Sequence, residues 1–249
     1  MILQLSSFLW RSRELMKKDY TIGVLGGMGT YATIHLFKEY AEIFVAEKEW
    51  DRPRIIIDNR CTMPSRVRAF LYDENKELLV EEMTDSMEHL VNAGCARIIL
   101  ACNTSHLFLP QIYRKVPRLE KFVVHIIRIC VNRIVFDGIK EIFLLGSEGT
   151  IDSRIYQDAL ANEGINCICP QEEEYAKLRE CIEAVKQNKY TKKIKKNFLE
   201  LVNRYDACIL GCTELPILYE LYKDEVICNQ IYDPLYLGLL KLKEEYDDE

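Results

Sequence analysis

A repeated order of turns constrains the fold of this chain more than any other feature of its sequence. An apolar run ends in Cys102, and a similar run further along the chain ends in Cys212. Upstream of each cysteine, another apolar run ends in a glycine-rich turn, at Gly26–Gly29 and at Gly146–Gly149. Short buried strands that lead through tight turns into helices are typical of α/β folds with mainly parallel sheets. The repeated order therefore predicts two similar halves that face each other.

The predicted fold is α/β, with two similar halves that are flavodoxin-like and each contain a mainly parallel sheet. A pseudo-twofold axis is expected to relate the halves, and the active site is expected between them. The expected division is an N-terminal extension at 1–19, a first domain at 20–120 plus about 226–249 that carries Cys102, and a second domain at 121–225 that carries Cys212. The extension is given no function, because Met16 also opens a sequence that begins directly with a strand.

Local patterns predict the individual elements. Strands are expected at Thr21–Leu25 and Arg54–Asp58, and hydrophobic periodicity predicts a helix from Thr30 to about Glu47. Four residues are expected on the apolar face of that helix: Ile34, Phe37, Ala41 and Phe44. A second helix is expected over Phe122–Phe136, and a last short strand over Glu225–Cys228.

Composition and charge exclude several classes of protein. The 249 residues carry a net charge of −6 with both signs spread along the chain, which argues against a nucleic-acid partner. No apolar run is long enough to span a bilayer. Ten cysteines without a secretory signal indicate free thiols in a reducing, cytoplasmic compartment. The one close pair, Cys167 and Cys169, has no companion pair, so no metal site is predicted.

Two cysteines on opposite faces of a substrate can invert a stereocentre. A thiolate removes a proton from carbon on one face and a thiol returns a proton on the other, since both protonation states of sulfur are reachable near neutral pH. The helix expected after Cys102 and after Cys212 would lower the pKa of both.

The deprotonated carbon needs fixed donors, and the candidates are Asn103, Thr104 and Thr213. Glu214 could orient a substrate ammonium group or tune Cys212. Such a reaction requires no cofactor. The alternative is that both cysteines are core thiols.

Two cations and one glycine motif have further interpretations. Arg66 follows the second strand and could clamp a carboxylate with two hydrogen bonds, or it could be a solvated loop residue. Lys186 lies near the end of a helix, where the helix dipole favours a cation anyway. The segment Gly27–Ala32 also fits the GxGxxA pattern of dinucleotide-binding proteins. A non-catalytic nucleotide- or small-ligand-binding protein is therefore an alternative.

Six motifs in order resemble one known family, the aspartate/glutamate racemases that work without pyridoxal phosphate. The motifs run from about residue 20 to the C-terminus and read GVLGGMGTYAT, MPSR, ACNTSH, GTIDSRIYQ, EAVKQNK and LGCTELP. The resemblance implies a homodimer and acid/base roles for Cys102 and Cys212. It implies that Arg66 and Lys186 bind substrate carboxylates. The residues that it places around the substrate are Met28, Asn103, Thr104, Ser153 and Thr213.

The same resemblance gives an expected substrate. Glu214 completes a CTE pattern that is similar to aspartate-type enzymes, whereas glutamate racemases resemble CTH at this point. The leading expectation is interconversion of L- and D-aspartate, with glutamate as a further substrate. Arg60 and Cys61 depart from the family's usual Asn-Pro, and an extra cation beside the substrate loop would alter the side-chain pocket. The alternative within the superfamily is an isomerase or decarboxylase of another carboxylic acid, although such relatives often lack one of the two cysteines.

Overall fold

The computed structural model describes residues 20–248, and the predicted extension at 1–19 lies outside the described residues. The strands are β1 Thr21–Leu25, β2 Arg54–Asp58, β3 Arg97–Leu100, β4 Val123–Val124, β5 Glu141–Gly146, β6 Asn166–Ile168, β7 Ala207–Gly211 and β8 Gln230–Tyr232. The α-helices are α1 Thr30–Ile43, α2 Arg66–Tyr72, α3 Lys76–Asn92, α4 Leu109–Lys115, α5 Ile126–Phe136, α6 Glu148–Asp152, α7 Ile155–Asn162, α8 Glu172–Lys186, α9 Lys192–Val202, α10 Leu215–Tyr222 and α11 Pro234–Asp248. Short 3-10 helices lie at Glu49–Asp51, Thr104–Phe108, Pro117–Phe122 and Lys223–Glu225.

Two four-stranded parallel sheets have the same strand order. The first is β2-β1-β3-β4 and the second is β6-β5-β7-β8. In each sheet the strand before a glycine turn pairs with the strand before a cysteine turn, so that Leu25 lies beside Leu100 and Gly146 beside Gly211. Strand order reverses at this pair, which is where open parallel sheets form their ligand crevice. The predicted fold class, two similar α/β halves, is confirmed.

The central strands are apolar because helices cover both faces of each sheet. Every residue of β1 and of β7 is buried, as expected for parallel strands that lack a solvent face. Helix α3 covers one side of the first sheet with Leu79, Met83 and Met87, all fully buried. Each such side chain contributes roughly 1.5–3 kcal/mol of burial free energy, so the strand ends that carry the turns are rigidly held.

The structure corrects the predicted helix over Phe122–Phe136. Val123 and Val124 instead form β4, which pairs with Ile98 and Ile99, and the helix begins at Ile126. Adjacent β-branched residues favour a strand. The ring of His125 caps the following helix by accepting a hydrogen bond from the backbone of Arg128 at 3.4 Å.

The expected last strand is also displaced. Residues 230–232, not 225–228, pair with β7. The two short strands β4 and β8 therefore extend the sheets past the predicted domain limits at 120 and about 226. The final helix α11 returns to pack against α5 and α1.

The predicted apolar face of α1 was wrong for three of its four residues. Ile34 is 58% exposed and Phe37 is 47% exposed, and Ala41 is exposed as well. The buried residues of the helix are Ala32, Thr33, Leu36, Glu39 and Tyr40. The apolar residues of α1 lie on more than one face, and its position against the sheet and α11 selects which face is covered. Within the described residues, no helix combines the length and apolar character that a membrane crossing needs.

Candidate active site

A cavity of about 80 Å³ lies where the turns after β1, β3, β5 and β7 meet. Its lining consists of Met28, Ser65, Arg66, Val67, Cys102, Asn103, Thr104, Ser147, Ile182, Lys186, Gly211, Cys212, Thr213 and Glu214. Every predicted site residue except Ser153 is among them. The hydroxyl of Ser153 instead donates to the carbonyl of Thr150 at 3.0 Å, so it stabilises the end of α6.

The two cysteines occupy equivalent places in the two halves. Cys102 follows β3 and Cys212 follows β7, and each is 9% exposed. The hydroxyl of Thr213 donates to the carbonyl of Ala101 at 3.3 Å, which joins the two cysteine turns directly. The shared cavity and this bond place both sulfurs at one site between the halves.

Cys212 is held as a thiol. Its Sγ donates a hydrogen bond to Oε2 of the buried Glu214 at 2.9 Å. Burial raises the pKa of Cys212 well above its ordinary value, the Glu214 carboxylate raises it further, and Lys186 only partly offsets these effects. The prediction that a following helix would lower the pKa of both cysteines was therefore wrong for Cys212. Desolvation and an adjacent carboxylate outweigh the dipole of α10.

The first glycine turn packs closely against its surroundings. Gly27 has a φ of +77°, and a Cβ there would lie 2.3 Å from the carbonyl carbon of Arg60. A Cβ on Gly29 would lie 2.7 Å from Oε1 of Glu214. At Gly27 the backbone of Arg60 fills the space that a side chain would need, and at Gly29 the φ of +154° is one that L side chains rarely adopt, so both positions favour glycine. The turn thus brings Met28 and Glu214 together at the cavity.

Arg66 is the first residue of α2 and is anchored to the backbone. Its Nη2 donates to the carbonyl of Met28 at 2.8 Å, and its Nη1 donates to the carbonyl of Pro64 at 3.1 Å. Its Nε is buried and has no hydrogen-bond partner among the described residues. Two hydrogen bonds therefore fix the guanidinium of this lining residue in place.

Lys186, the last residue of α8, supplies a second cation. Its Nζ lies 2.8 Å from Oε1 of Glu183. Partial burial by itself would lower the pKa of Lys186, but the carboxylates of Glu183 and Glu214 raise it above its ordinary value. The ammonium group is therefore fully charged at neutral pH and sits at the mouth of the cavity.

Asn103 is oriented by a residue that the sequence did not single out. The hydroxyl of the buried Tyr156, on α7 of the second half, donates to Oδ1 of Asn103 at 2.6 Å. Burial raises the pKa of Tyr156 well above its ordinary value, so its hydroxyl stays protonated. The Nδ2 of Asn103 is buried and lacks a partner among the described residues. Tyr156 thus fixes the orientation of the amide of Asn103, a residue of the cavity lining.

A hydroxyl cluster joins the halves at Thr104. Its Oγ1 lies 3.0 Å from Oγ of Ser147 and 3.0 Å from Oγ1 of Thr150, both in the second glycine turn and its helix. A Cβ on Gly149 would lie 2.9 Å from Cγ2 of Thr104, so glycine allows this close approach. Sequence reasoning missed Ser147, because a serine that caps a short helix looks structural.

Two residues near the motifs face away from the site. Arg60 forms ion pairs with Glu82 and Asp85 on α3, so the extra cation of the substrate loop does not line the cavity. His106 is buried, its Nδ1 lies 3.0 Å from the carbonyl of Cys102, and burial lowers its pKa to about 3. A neutral imidazole in that position orders the cysteine turn.

The cavity therefore combines two sulfurs, two cations and one carboxylate. One sulfur is a thiol that can give a proton, and the site holds amide and hydroxyl donors around it. Arg66 and Lys186 can bind carboxylates, and Glu214 can bind an ammonium group. Such an arrangement suits acid/base chemistry on a small molecule that carries groups of both charges.

Comparisons with known proteins agree with this geometry. The sequence model of the family described as Asp/Glu/hydantoin racemase matches residues 25–238. A broad specificity amino-acid racemase, RacX of Bacillus subtilis, is 28% identical over 213 residues, which cover 82% of this chain and 90% of that protein.

Solved structures give the same family. The aspartate racemase of Picrophilus torridus superimposes with a TM-score of 0.73 at 25% identity, covering 92% of this chain and 98% of the other. An aspartate racemase homologue from Pyrococcus horikoshii gives a TM-score of 0.70 at 25% identity, covering 91% and 99%. The chain thus belongs to the Asp/Glu/hydantoin racemase family and is an isomerase of the racemase type.

Proposed function

We propose that the chain interconverts L- and D-aspartate, with glutamate as a weaker substrate, by two proton transfers at Cα, one to Cys102 and one from Cys212 on the opposite face. The observation that carries this proposal is the placement of one cysteine from each half at a single cavity, with one of them held as a thiol. The sulfurs of the chain supply both the base and the acid of the proposed reaction.

The reaction proceeds in one direction as follows. The Cys102 thiolate removes the α-proton from the enantiomer whose Cα–H bond points toward it. The electron pair passes to the α-carboxylate, whose developing charge is stabilised by Asn103 Nδ2 and by the cavity's cations. The Cys212 thiol then gives its proton to the opposite face of Cα. The product has inverted configuration, Cys212 is left as thiolate, and the reverse reaction exchanges the roles.

The charges of the cavity support an acidic substrate. Aspartate carries two carboxylates and one ammonium group, which match Arg66, Lys186 and Glu214 in number and sign. A neutral amino acid would leave one cation without a partner. The ion pair between Lys186 and Glu183 must then open when the side-chain carboxylate binds.

A panel of amino acids tests this proposal. Purified protein is incubated, without added cofactor, with the L-forms of aspartate, glutamate, alanine, lysine and phenylalanine, and the D-form is measured by chiral chromatography. We expect kcat/KM for aspartate to exceed that for each neutral amino acid by at least about tenfold, the value of one charged hydrogen bond. Equal rates would contradict the acidic specificity and favour a broad one, as in the Bacillus subtilis relative.

The dinucleotide alternative lacks support in the geometry of the first glycine turn. The space beside Gly27 is filled by the backbone of Arg60, and the carboxylate of Glu214 lies against Gly29. A carboxylate in that place repels phosphate, and the cavity of about 80 Å³ is far smaller than a dinucleotide site. The homodimer implied by the family resemblance remains a proposal, and light scattering on the purified chain tests it.

Glu214→Gln is expected to move the alkaline limb of the pH profile to lower pH. The Glu214 carboxylate raises the pKa of Cys212 beyond the effect of burial, so removing its charge lowers that pKa. As an acid, Cys212 works only while protonated. In the direction that uses it as the acid, activity in the variant is therefore lost at lower pH than in wild type.

Measuring kcat against pH in both directions checks this shift. Glu183→Gln is the matched control, because it removes a carboxylate beside Lys186 without touching Cys212. An alkaline limb that stays in place, or that moves to higher pH, would show that Glu214 does not set the proton affinity of Cys212.

Tyr156→Phe is expected to lower kcat by about fivefold and the melting temperature by a few degrees, while leaving KM nearly unchanged. The substitution removes one hydrogen bond, worth about 1 kcal/mol, and frees the Asn103 amide to rotate. Tyr175→Phe is the control, because the Tyr175 hydroxyl is buried without a hydrogen-bond partner among the described residues. Equal kcat in the two variants would contradict a positioning role for Tyr156.

A further inference from the structure

A second cluster of ligand-type side chains lies away from the candidate active site. His35 and Glu39 are one turn apart on α1, and Asp233 directly precedes α11. Each offers one donor atom, and the three atoms lie within 4.8 Å of one another. The cluster lines a cavity of about 660 Å³ that shares no lining residue with the cavity of the cysteines.

Glu39 has a buried oxygen without a partner. The residue is 9% exposed, and its Oε1 lies 3.3 Å from Nε2 of His35. Its Oε2 is buried and has no hydrogen-bond partner among the described residues. An unpaired buried carboxylate oxygen is costly, so this atom requires either a proton or a cation.

Asp233 lines the same cavity, and one of its carboxylate oxygens caps a helix. Its Oδ1 accepts hydrogen bonds from the backbone of Leu235 at 2.8 Å and of Tyr236 at 3.3 Å, which caps α11. These bonds leave Oδ2 for another partner.

The remaining charges of this cavity are already paired. Glu42 and Glu220 lie 3.6 and 3.8 Å from Lys38, and Asp137 lies 2.9 Å from Arg133. Glu39 and Asp233 are therefore the lining carboxylates that lack a lysine or arginine partner within the described residues. The lining contains more carboxylates than lysine and arginine side chains, so the cavity attracts positive charge. The five carboxylates belong to Glu39, Glu42, Asp137, Glu220 and Asp233, and the two cations are Lys38 and Arg133.

We propose that His35, Glu39 and Asp233 bind a divalent transition-metal ion. One imidazole and two carboxylates suit Mn²⁺ or Zn²⁺, and three protein ligands leave coordination positions open toward the cavity. The ion would join α1 of the first half to the residue between β8 and α11, and so tie the second sheet to the first half. This site is independent of the proposed racemase function.

Manganese binding to the full-length chain tests the proposal. The probe is Mn²⁺ because the ten cysteines would compete for Zn²⁺. EDTA-treated and dialysed protein is titrated at pH 8, and free Mn²⁺ is counted by electron paramagnetic resonance. We expect one bound ion per chain and a melting temperature that rises with Mn²⁺ concentration.

Two isosteric variants locate the ion. Glu39→Gln and Asp233→Asn each remove one anionic ligand, and asparagine keeps the Oδ1 cap of α11, so each is expected to weaken Mn²⁺ binding by at least about tenfold. Glu42→Gln, on the same helix and in the same cavity, is the control and should bind Mn²⁺ as wild type does.

Two results would overturn the proposal. One is unchanged Mn²⁺ affinity in both ligand variants. The other is a wild-type chain that binds no Mn²⁺, whatever the melting temperature of the Glu39→Gln variant. That second result would mean that the two carboxylates share only a proton.

Discussion

Replacing Cys102 or Cys212 with alanine is expected to slow racemisation of aspartate by about 10³-fold, the usual contribution of a general acid or base. The loss should be similar for both variants, because inversion needs a proton transfer on each face of Cα. Both sulfurs line one small cavity, and the residues that line it include no third cysteine that could take over either role.

The two variants should differ in which enantiomer still exchanges its α-proton. With Cys212 replaced, Cys102 can remove and return a proton on its own face, which exchanges hydrogen with solvent without inversion. Cys102→Ala should do the same for the opposite enantiomer. Cys228→Ala is the control, because that sulfur lies outside the cavity, where it donates to the backbone carbonyl of Gln230 at 3.5 Å. Undiminished inversion in either active-site variant would refute the role of that cysteine.

Gly27→Ala is expected to destabilise the protein by roughly 3 kcal/mol or more and to abolish activity. Gly27 combines a φ of +77° with backbone atoms of Arg60 at 2.3 to 2.6 Å from the added Cβ. An alanine there suffers both backbone strain and a clash that a flexible side chain cannot relieve. Since this turn positions Met28 and the space beside Glu214, the shift also displaces the site.

Gly138→Ala separates these two costs. Gly138 has a φ of +73°, almost the same as Gly27, but a Cβ there meets no atom within 4 Å. It should lose only about 1–2 kcal/mol from the left-handed backbone conformation and keep its activity. Urea unfolding of the two variants measures the difference. Equal losses of unfolding free energy would contradict the close packing of the first turn.

The strands and their turns were predictable because parallel strands are buried on both faces. The observed bounds of β1 equal the predicted ones, since an uninterrupted, fully buried apolar run before a turn has few other interpretations. The bounds of β2 are also as predicted, although its residues are exposed or only partly buried, because three consecutive isoleucines favour a strand. The repeat of the two turns then placed Cys102 and Cys212 at equivalent strand ends. Local sequence was sufficient wherever burial was complete.

Prediction failed where tertiary packing chooses between local options. Helix α1 has apolar residues on several sides, so the sequence did not show that Ile34 and Phe37 would face outward. Val123 and Val124 continue an apolar run that a helix could also use, and only their pairing with β3 makes them a strand. A two-residue strand carries too little pattern to be recognised alone.

Some details of the site could not be predicted because they arise from contacts between residues that are distant in sequence. The bond from Tyr156 to Asn103 joins the two halves, and a helical tyrosine in an apolar face is indistinguishable from core in sequence. The high pKa of Cys212 arises from burial and from Glu214, which spacing alone could not rank against the helix dipole. Ser153 lies close in sequence to Ser147, yet only Ser147 reaches the cavity.

The isotopic composition of D-aspartate formed from L-aspartate in heavy water tests the central claim most directly. The product of the first few per cent of reaction is separated by chiral chromatography and analysed by mass spectrometry. If Cys102 removes the α-proton and Cys212 supplies a different one, D-aspartate carries deuterium at Cα while the remaining L-aspartate still carries hydrogen. D-aspartate that retains the original hydrogen would contradict the account, because it would require one group to remove and return the same proton.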